Sequence, residues 1–413
     1  MGPEFVLLPA LLMLLAWAVL LWTWRTSLCR HWKEPMLRHP VLIIESDDWG
    51  PGPALHGERL TALADTLARH RDKADHPALM TLGLVLAVPD SAAMRAGSLQ
   101  DYRRLELDDA RCAAVLAAME RGATRGVFAL QLHGMEHYWP PALLRAARDD
   151  ASLRSWLLDQ EFPAYEDLPP ALQSRWVDGA QLPSGTLDAD SIGRAVREET
   201  KAFQRIFQSA PRVAVPPTFI WTRTVETAWM AAGIEVIITP GRRYTGRDAT
   251  GQPTGVEASI HNGESAGPMA LYLVRDIYFE PLRGHAPAKV LAEARRRFRL
   301  ARPALLETHR SNFVGSETDF EHSLAQLDTL LADALRDCPD LRFLSPRELA
   351  RLYRDRPAEW CVHSRWIRLH LWLRRLAALP RLRKLAWLSG LALPAALLWW
   401  LSAAPARRAG IPA

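Results

Sequence analysis

Three short stretches of this sequence place reactive side chains where they can act together. An apolar run ends in two adjacent acids, Asp47 and Asp48; a second leads into His133, with His137 four residues on; a third leads into His309. Two imidazoles four residues apart can face one ion, and one carboxylate completes a His, His, Asp set with positions left open for water or substrate. Zinc is the default divalent metal for such a set. With Asp48 as the ligand, Asp47 is free to take a proton from water whose pKa the ion lowers. His309 can then protonate a leaving amine or stabilise a developing oxyanion. A helix-capping role for the two acids fits poorly, because Gly50, Pro51, Gly52 and Pro53 intervene before the next helical pattern.

The elements that must position these groups alternate along the chain. Apolar, β-branched runs predict strands at 41–46, 80–88, 126–132, 212–215, 235–239, 271–275, 304–308 and 341–344. Helical periodicity falls between them at 55–71, 107–121, 191–208, 224–232, 287–300 and 317–336. Strands alternating with helices imply parallel βα units, and about seven to eight units in roughly 320 residues favour a (β/α) barrel over an open sheet. Segments 138–187 and 242–268 break the rhythm and read as insertions over one face. In such a barrel the chemistry sits where strands end, which is where the two acids and three histidines stand.

The chain has 413 residues, 49% of them hydrophobic and 23% charged, enough for one large or two medium cores. The formal charge of +5 is concentrated near the ends and does not point to nucleic acid. Residues 5–24 and 385–406 are two uncharged apolar runs long enough to cross a bilayer, giving N- and C-terminal transmembrane helices. The first lacks the basic start and small-residue cleavage site of a signal peptide and reads as an anchor. Arg25, Arg30 and Lys33 follow the first run, and Arg365, Arg368, Arg374, Arg375, Arg381, Arg383 and Lys384 precede the second; Arg407 and Arg408 lie beyond it. The positive-inside rule then predicts a two-span membrane protein, its central domain cytoplasmic. Four dispersed cysteines fit a reducing compartment. The expected organisation is an anchor and juxtamembrane segment at 1–35, the barrel at 36–357, a basic amphipathic interfacial segment at 358–384, and a second span with tail at 385–413.

The sequence resembles the polysaccharide deacetylase, or NodB-homology, family of metal-dependent carbohydrate esterases. Ser46–Asp48 is similar to the motif in which a base precedes a metal ligand, His133 and His137 match its paired histidines, and Leu306–His309 matches its late leucine-x-x-histidine motif. SDDWG, LHGMEH, PPTFIW (216–221), VRDIYFEP (274–281) and THRSNFVG (308–315) resemble a divergent branch from bacterial surface-polysaccharide clusters. The resemblance covers about residues 41–353. It implies a distorted (β/α) barrel, a divalent metal held by Asp48, His133 and His137, Asp47 as base, His309 as acid, and hydrolysis of an N-acetyl group from a glycan or its lipid-linked precursor. Trp49, Phe219, Trp221, Asp276, Glu280, Arg310 and Asn312 would then line or support the site, with Trp49 walling the pocket.

Two departures stand out. Where the family has an arginine ahead of its paired prolines, this chain has Val215, with Arg212 and Arg223 nearby; where the family often has Asp after the late histidine, it has Arg310. Asp276 or Glu280 is expected to supply the missing support. Two other readings keep part of this picture: a glycoside hydrolase working through Asp47 and Glu280, and a non-catalytic, membrane-anchored glycan-binding scaffold.

Overall fold

The computed structural model describes residues 4–97, 99, 101–257 and 259–408. They gather into two compact units, one of Leu42–Ala294 and Ala304–Ala350, the other of Met1–Val41, Arg295–Pro303 and Arg351–Ala413. The three segments expected at 1–35, 358–384 and 385–413 thus belong to one unit, with a piece from the middle of the chain.

The strands of the main sheet are β1 (Val41–Trp49), β2 (Met80–Val85), β3 (Phe128–Gly134), β4 (Val213–Ala214), β5 (Val236–Thr239), β6 (Leu271–Val274), β7 (Ile277–Tyr278), β8 (Ala304–His309) and β9 (Arg342–Phe343). They form one sheet in the order β6-β5-β4-β3-β2-β1-β8-β7, with β9 joining β1 beside this path. Neighbours from β1 to β8 pair in parallel. The two ends of the path, β6 and β7, are separated in sequence by Arg275 and Asp276 alone, which can span only about 10 Å. One stretch of chain therefore serves both edges of the sheet, as a (β/α) barrel requires. The short strand β7 is missing from the sequence reading, where 271–275 is a single strand.

Helices follow the strands where the 3.6-residue pattern predicts them. Ala189–Phe207 shows why: Asp188 caps it by accepting from the Ser191 amide, and Ile192, Val196, Phe203 and Ile206 form its buried stripe. Each such side chain contributes about 1.5–3 kcal/mol on burial. Covered by helices, β1 is buried along its whole length, which accounts for its unbroken apolar run. The insertion after β3 carries short helices, Pro140–Ala147 and Ala151–Leu158, and packs a small core of its own around Leu143, Trp156, Tyr165 and Leu168.

The smaller unit begins with α1 (Glu4–Lys33), whose stretch Leu11–Lys33 is long and apolar enough to cross a membrane. Its C-terminal helices are α2 (Arg365–Ala377), α3 (Pro380–Leu388) and α4 (Ala392–Arg408). Residues 385–406, expected as a second straight span, are not one helix: α3 and α4 meet at 113°. The break has a local cause. Gly390 adopts φ +76, the left-handed helix-ending conformation, and Pro394 sits in the first turn of α4, where its missing N–H costs nothing.

Candidate active site

Parallel register puts two of the expected site residues side by side: Asp47 on β1 pairs with His309 on β8. Successive side chains of a regular strand point to opposite faces, which would separate Asp47 from Asp48. Here the register with β2 shifts between Ser46 and Trp49, and Asp48 has φ +77. This bulge costs about 1–2 kcal/mol for a non-glycine residue and lets both acids face the strand ends. Gly83 on β2 makes room for them, since a Cβ there would lie 2.3 Å from Asp47 Oδ1.

Asp48, His133 and His137 form a buried group whose ligand atoms lie within 4.8 Å of one another. Asp48 Oδ1 is 3.1 Å from His133 Nε2 and 3.6 Å from His137 Nε2, yet it accepts no hydrogen bond of acceptable geometry. Three donor atoms that converge without bonding one another suit a cation between them, and two imidazoles with one carboxylate are a donor set for a divalent metal. His133 Nδ1 lies 3.0 Å from the Val215 carbonyl, so with a cation at Nε2 that nitrogen would carry the ring's proton. Burial would raise the Asp48 carboxyl, but His133, His137 and His309 hold it well below its ordinary value. Burial, opposed by Asp48 but reinforced by His133 and His309, pushes His137 down to about 3, leaving the neutral ring a metal needs. The Tyr165 ring, from the insertion, stacks on His137 at 4.3 Å and 7°.

Asp47 has a guanidinium partner. Arg275, wholly buried between β6 and β7, donates to Asp47 Oδ2 at 2.5 Å and to Glu307 Oε2 at 3.1 Å, with Glu45 Oε2 3.6 Å away. Burial would raise the Asp47 carboxyl, but Arg275 outweighs it and holds the group ionised below the usual carboxylate value. One cation cannot hold three buried acids ionised: burial lifts Glu45 to about 7 despite Arg275, and lifts Glu307 as well. Arg212 and Arg223 are not involved, being engaged with Gly233 and Glu235 and with Glu257 respectively.

His309 has a carboxylate partner. His309 Nδ1 lies 2.5 Å from Glu280 Oε1, and Asn312 donates to Glu280 Oε2. Burial opposes the imidazolium, but Glu280, Asp48 and Asp47 raise its pKa to about 10, so the ring holds its proton at neutral pH. Arg310 reaches away to Glu166, donating to both carboxylate oxygens at 3.0 and 3.1 Å, and so ties the end of β8 to the insertion that carries Tyr165.

Of the residues expected in supporting roles, Glu280 and Asn312 stand beside His309, Arg310 turns to Glu166, and Phe219 lies under the Arg275 guanidinium at 5.4 Å. Asp276 is exposed next to the buried Arg275. Two others are corrected. Trp49 has no exposed surface and donates to Ser46 Oγ at 2.9 Å, so it backs the site from the core and does not wall it. Trp221 is equally buried, donating to Glu226. Arg275, Gly83 and Tyr165 are the residues that sequence reasoning missed. For Arg275 a signal existed: a basic residue inside the apolar run LYLVRDIYF has to meet opposite charge when buried, and Glu45 and Glu307 are acids within similar apolar runs.

The sequence matches no protein-family model and no curated protein. Among solved structures the chain is similar to a family 4 carbohydrate esterase from Streptomyces lividans in complex with acetate, at 9% identity, covering 74% of this chain and 91% of that one with a TM-score of 0.34. It is similar to a family 4 acetyl xylan esterase from Clostridium thermocellum in complex with a cobalt ion, at 10% identity, covering 76% and 91% with a TM-score of 0.37. A 4-alpha-glucanotransferase from Thermococcus litoralis is also similar, at 9% identity and a TM-score of 0.40, covering 77% of this chain; the chain spans 40% of that protein's length.

Proposed function

We propose that this chain is a metal-dependent deacetylase that hydrolyses an N-acetyl group from a glycan, anchored by α1 to the inner membrane of a bacterium with its active site on the cytoplasmic side. The observation that carries this reading is the pairing of Asp47 with His309 across β1 and β8, each with its own buried counter-charge, beside the Asp48, His133, His137 cradle. A divalent cation in that cradle, for which zinc is the default, would supply Lewis acidity toward the acetyl carbonyl and lower the pKa of water. Asp47, held ionised by Arg275, accepts the proton of the attacking water. His309, held protonated by Glu280, gives its proton to the amine as the C–N bond breaks, so that acetate and a free amino sugar result.

The partners of these residues bear on the two rival readings. A glycosidase using Asp47 and Glu280 needs one of them as a free acid, whereas Glu280 is engaged with His309 and Asn312 and Asp47 with Arg275. A silent scaffold was suggested by the missing motif arginine, and Arg275 gives the base a guanidinium from another strand. A membrane-anchored chain suits a lipid-linked precursor as the substrate. Incubation with an N-acetylated oligosaccharide is expected to release acetate and free amine in equal amounts, and Asp47→Asn to abolish both. New reducing ends without acetate would overturn the proposal in favour of the glycosidase.

A further inference from the structure

The smaller unit turns apolar side chains outward: Leu15 and Trp22 on α1, Leu388 at the end of α3, and Leu393, Leu397 and Trp400 on α4. Such a surface fits lipid. If residues 385–406 crossed the bilayer straight, their ends would lie about 30 Å apart, on opposite sides. The contacts within the unit describe another path.

At the bend, Trp17 Nε1 donates to the Ser389 carbonyl at 2.7 Å, and Met13 Sδ lies 4.0 Å from where a Cβ on Gly390 would stand. At the far end of α4, Ala406 packs in a cluster with Met36, Ala301, Val362, Ile367 and Leu371. One turn earlier Ser402 Oγ is 3.3 Å from His370 Nδ1, and the Trp399 ring stacks on His370 at 5.1 Å. The helix that carries His370, α2, sits at the basic end of α1: Trp372 Nε1 donates to the Leu28 carbonyl, and Arg375 to those of His31, Glu34 and Pro35. Thus α4 starts level with Trp17 and returns to the level of Met36. Trp17 precedes Arg25 by eight residues, about 12 Å along a helix, close to half of a hydrocarbon layer about 30 Å thick.

We propose that residues 380–408 form a re-entrant hairpin that enters the bilayer beside α1, turns near its midplane at Ser389–Gly390, and leaves on the side it entered. The lipid bilayer is the partner of its outward face. Charge supports this path independently of the packing. Arg381, Arg383 and Lys384 precede the turn and Arg407 and Arg408 follow it. In a hairpin all five lie on one side, whereas a straight span would divide them against the positive-inside rule. The irregular backbone at the turn is shielded by α1, whose Trp17 satisfies the Ser389 carbonyl, as non-helical chain at membrane depth requires.

The inference rests on α1 as a membrane span and is independent of the active site. Its test uses the full chain with a short epitope at each terminus, in right-side-out and inside-out membrane vesicles treated with proteinase K. The expected result is that the N-terminal epitope is cut in one preparation and the C-terminal epitope in the other. Cutting of both in the same preparation would establish two straight spans and overturn the hairpin. Release of the chain by alkaline carbonate would overturn it too, since nothing would then be embedded.

Discussion

Asp47 and His309 face each other across paired strands, and one buried partner holds each in its working protonation state. Arg275 keeps Asp47 ionised, and Glu280 keeps the His309 imidazolium up to a pKa of about 10. The pH profile should therefore be broad, falling on the acid side as Asp47 gains a proton and on the alkaline side as His309 loses one. The two partners should move opposite limbs. Arg275→Lys keeps a charge but loses the fork that grips Asp47 and Glu307, so the Asp47 pKa rises and the acid limb shifts to higher pH. Glu280→Gln removes the attraction that offsets burial at His309, so its pKa falls and the alkaline limb shifts to lower pH. Profiles of kcat/KM for the two variants check both signs, and a Glu280→Gln profile that matches wild type would remove Glu280 from its role.

At the scale of elements, the site depends on three strands held in one register and on one bulge. β1, β3 and β8 and their apolar runs are legible in the sequence because buried parallel strands have a composition of their own, and the acids and histidines stand at their ends. The bulge is not legible: SDDW carries no glycine to announce a positive φ, and only the pairing with β2 reveals that one residue is extra. Arg275 was hidden for a related reason. Its run reads as a strand, but the sequence does not say that the strand closes the sheet and faces Asp47 from the other edge. The bend within residues 385–406 is not legible either, because hydropathy counts apolar residues and ignores what Gly390 and Pro394 do to a helix. Gly83 gives the element-scale prediction. In Gly83→Ala the new Cβ would press on Asp47 Oδ1, the movable end of a side chain, so the fold should survive while the carboxylate shifts. A displacement near 1 Å costs about a hundredfold in rate. Turnover should fall by that order with unchanged metal content and thermal midpoint, and a fully active Gly83→Ala would show that the contact does not position the base.

At the scale of the whole molecule, one unit holds the proposed catalytic residues and the other the apolar helices, so the proposal assigns chemistry and membrane contact to different parts of the chain. A glycan on a lipid carrier would suit such a division of labour. All of it depends on the cradle of Asp48, His133 and His137 holding a metal while Asp47, the very next residue, does not. Metal content per chain, measured by elemental analysis on Asp47→Asn, Asp48→Asn and His133→Ala beside wild type, tests this most directly. One divalent ion per chain is predicted in wild type and in Asp47→Asn, with the ion lost or greatly reduced in Asp48→Asn and His133→Ala. Equal metal in all four proteins, or none in wild type purified in the presence of zinc, would contradict it.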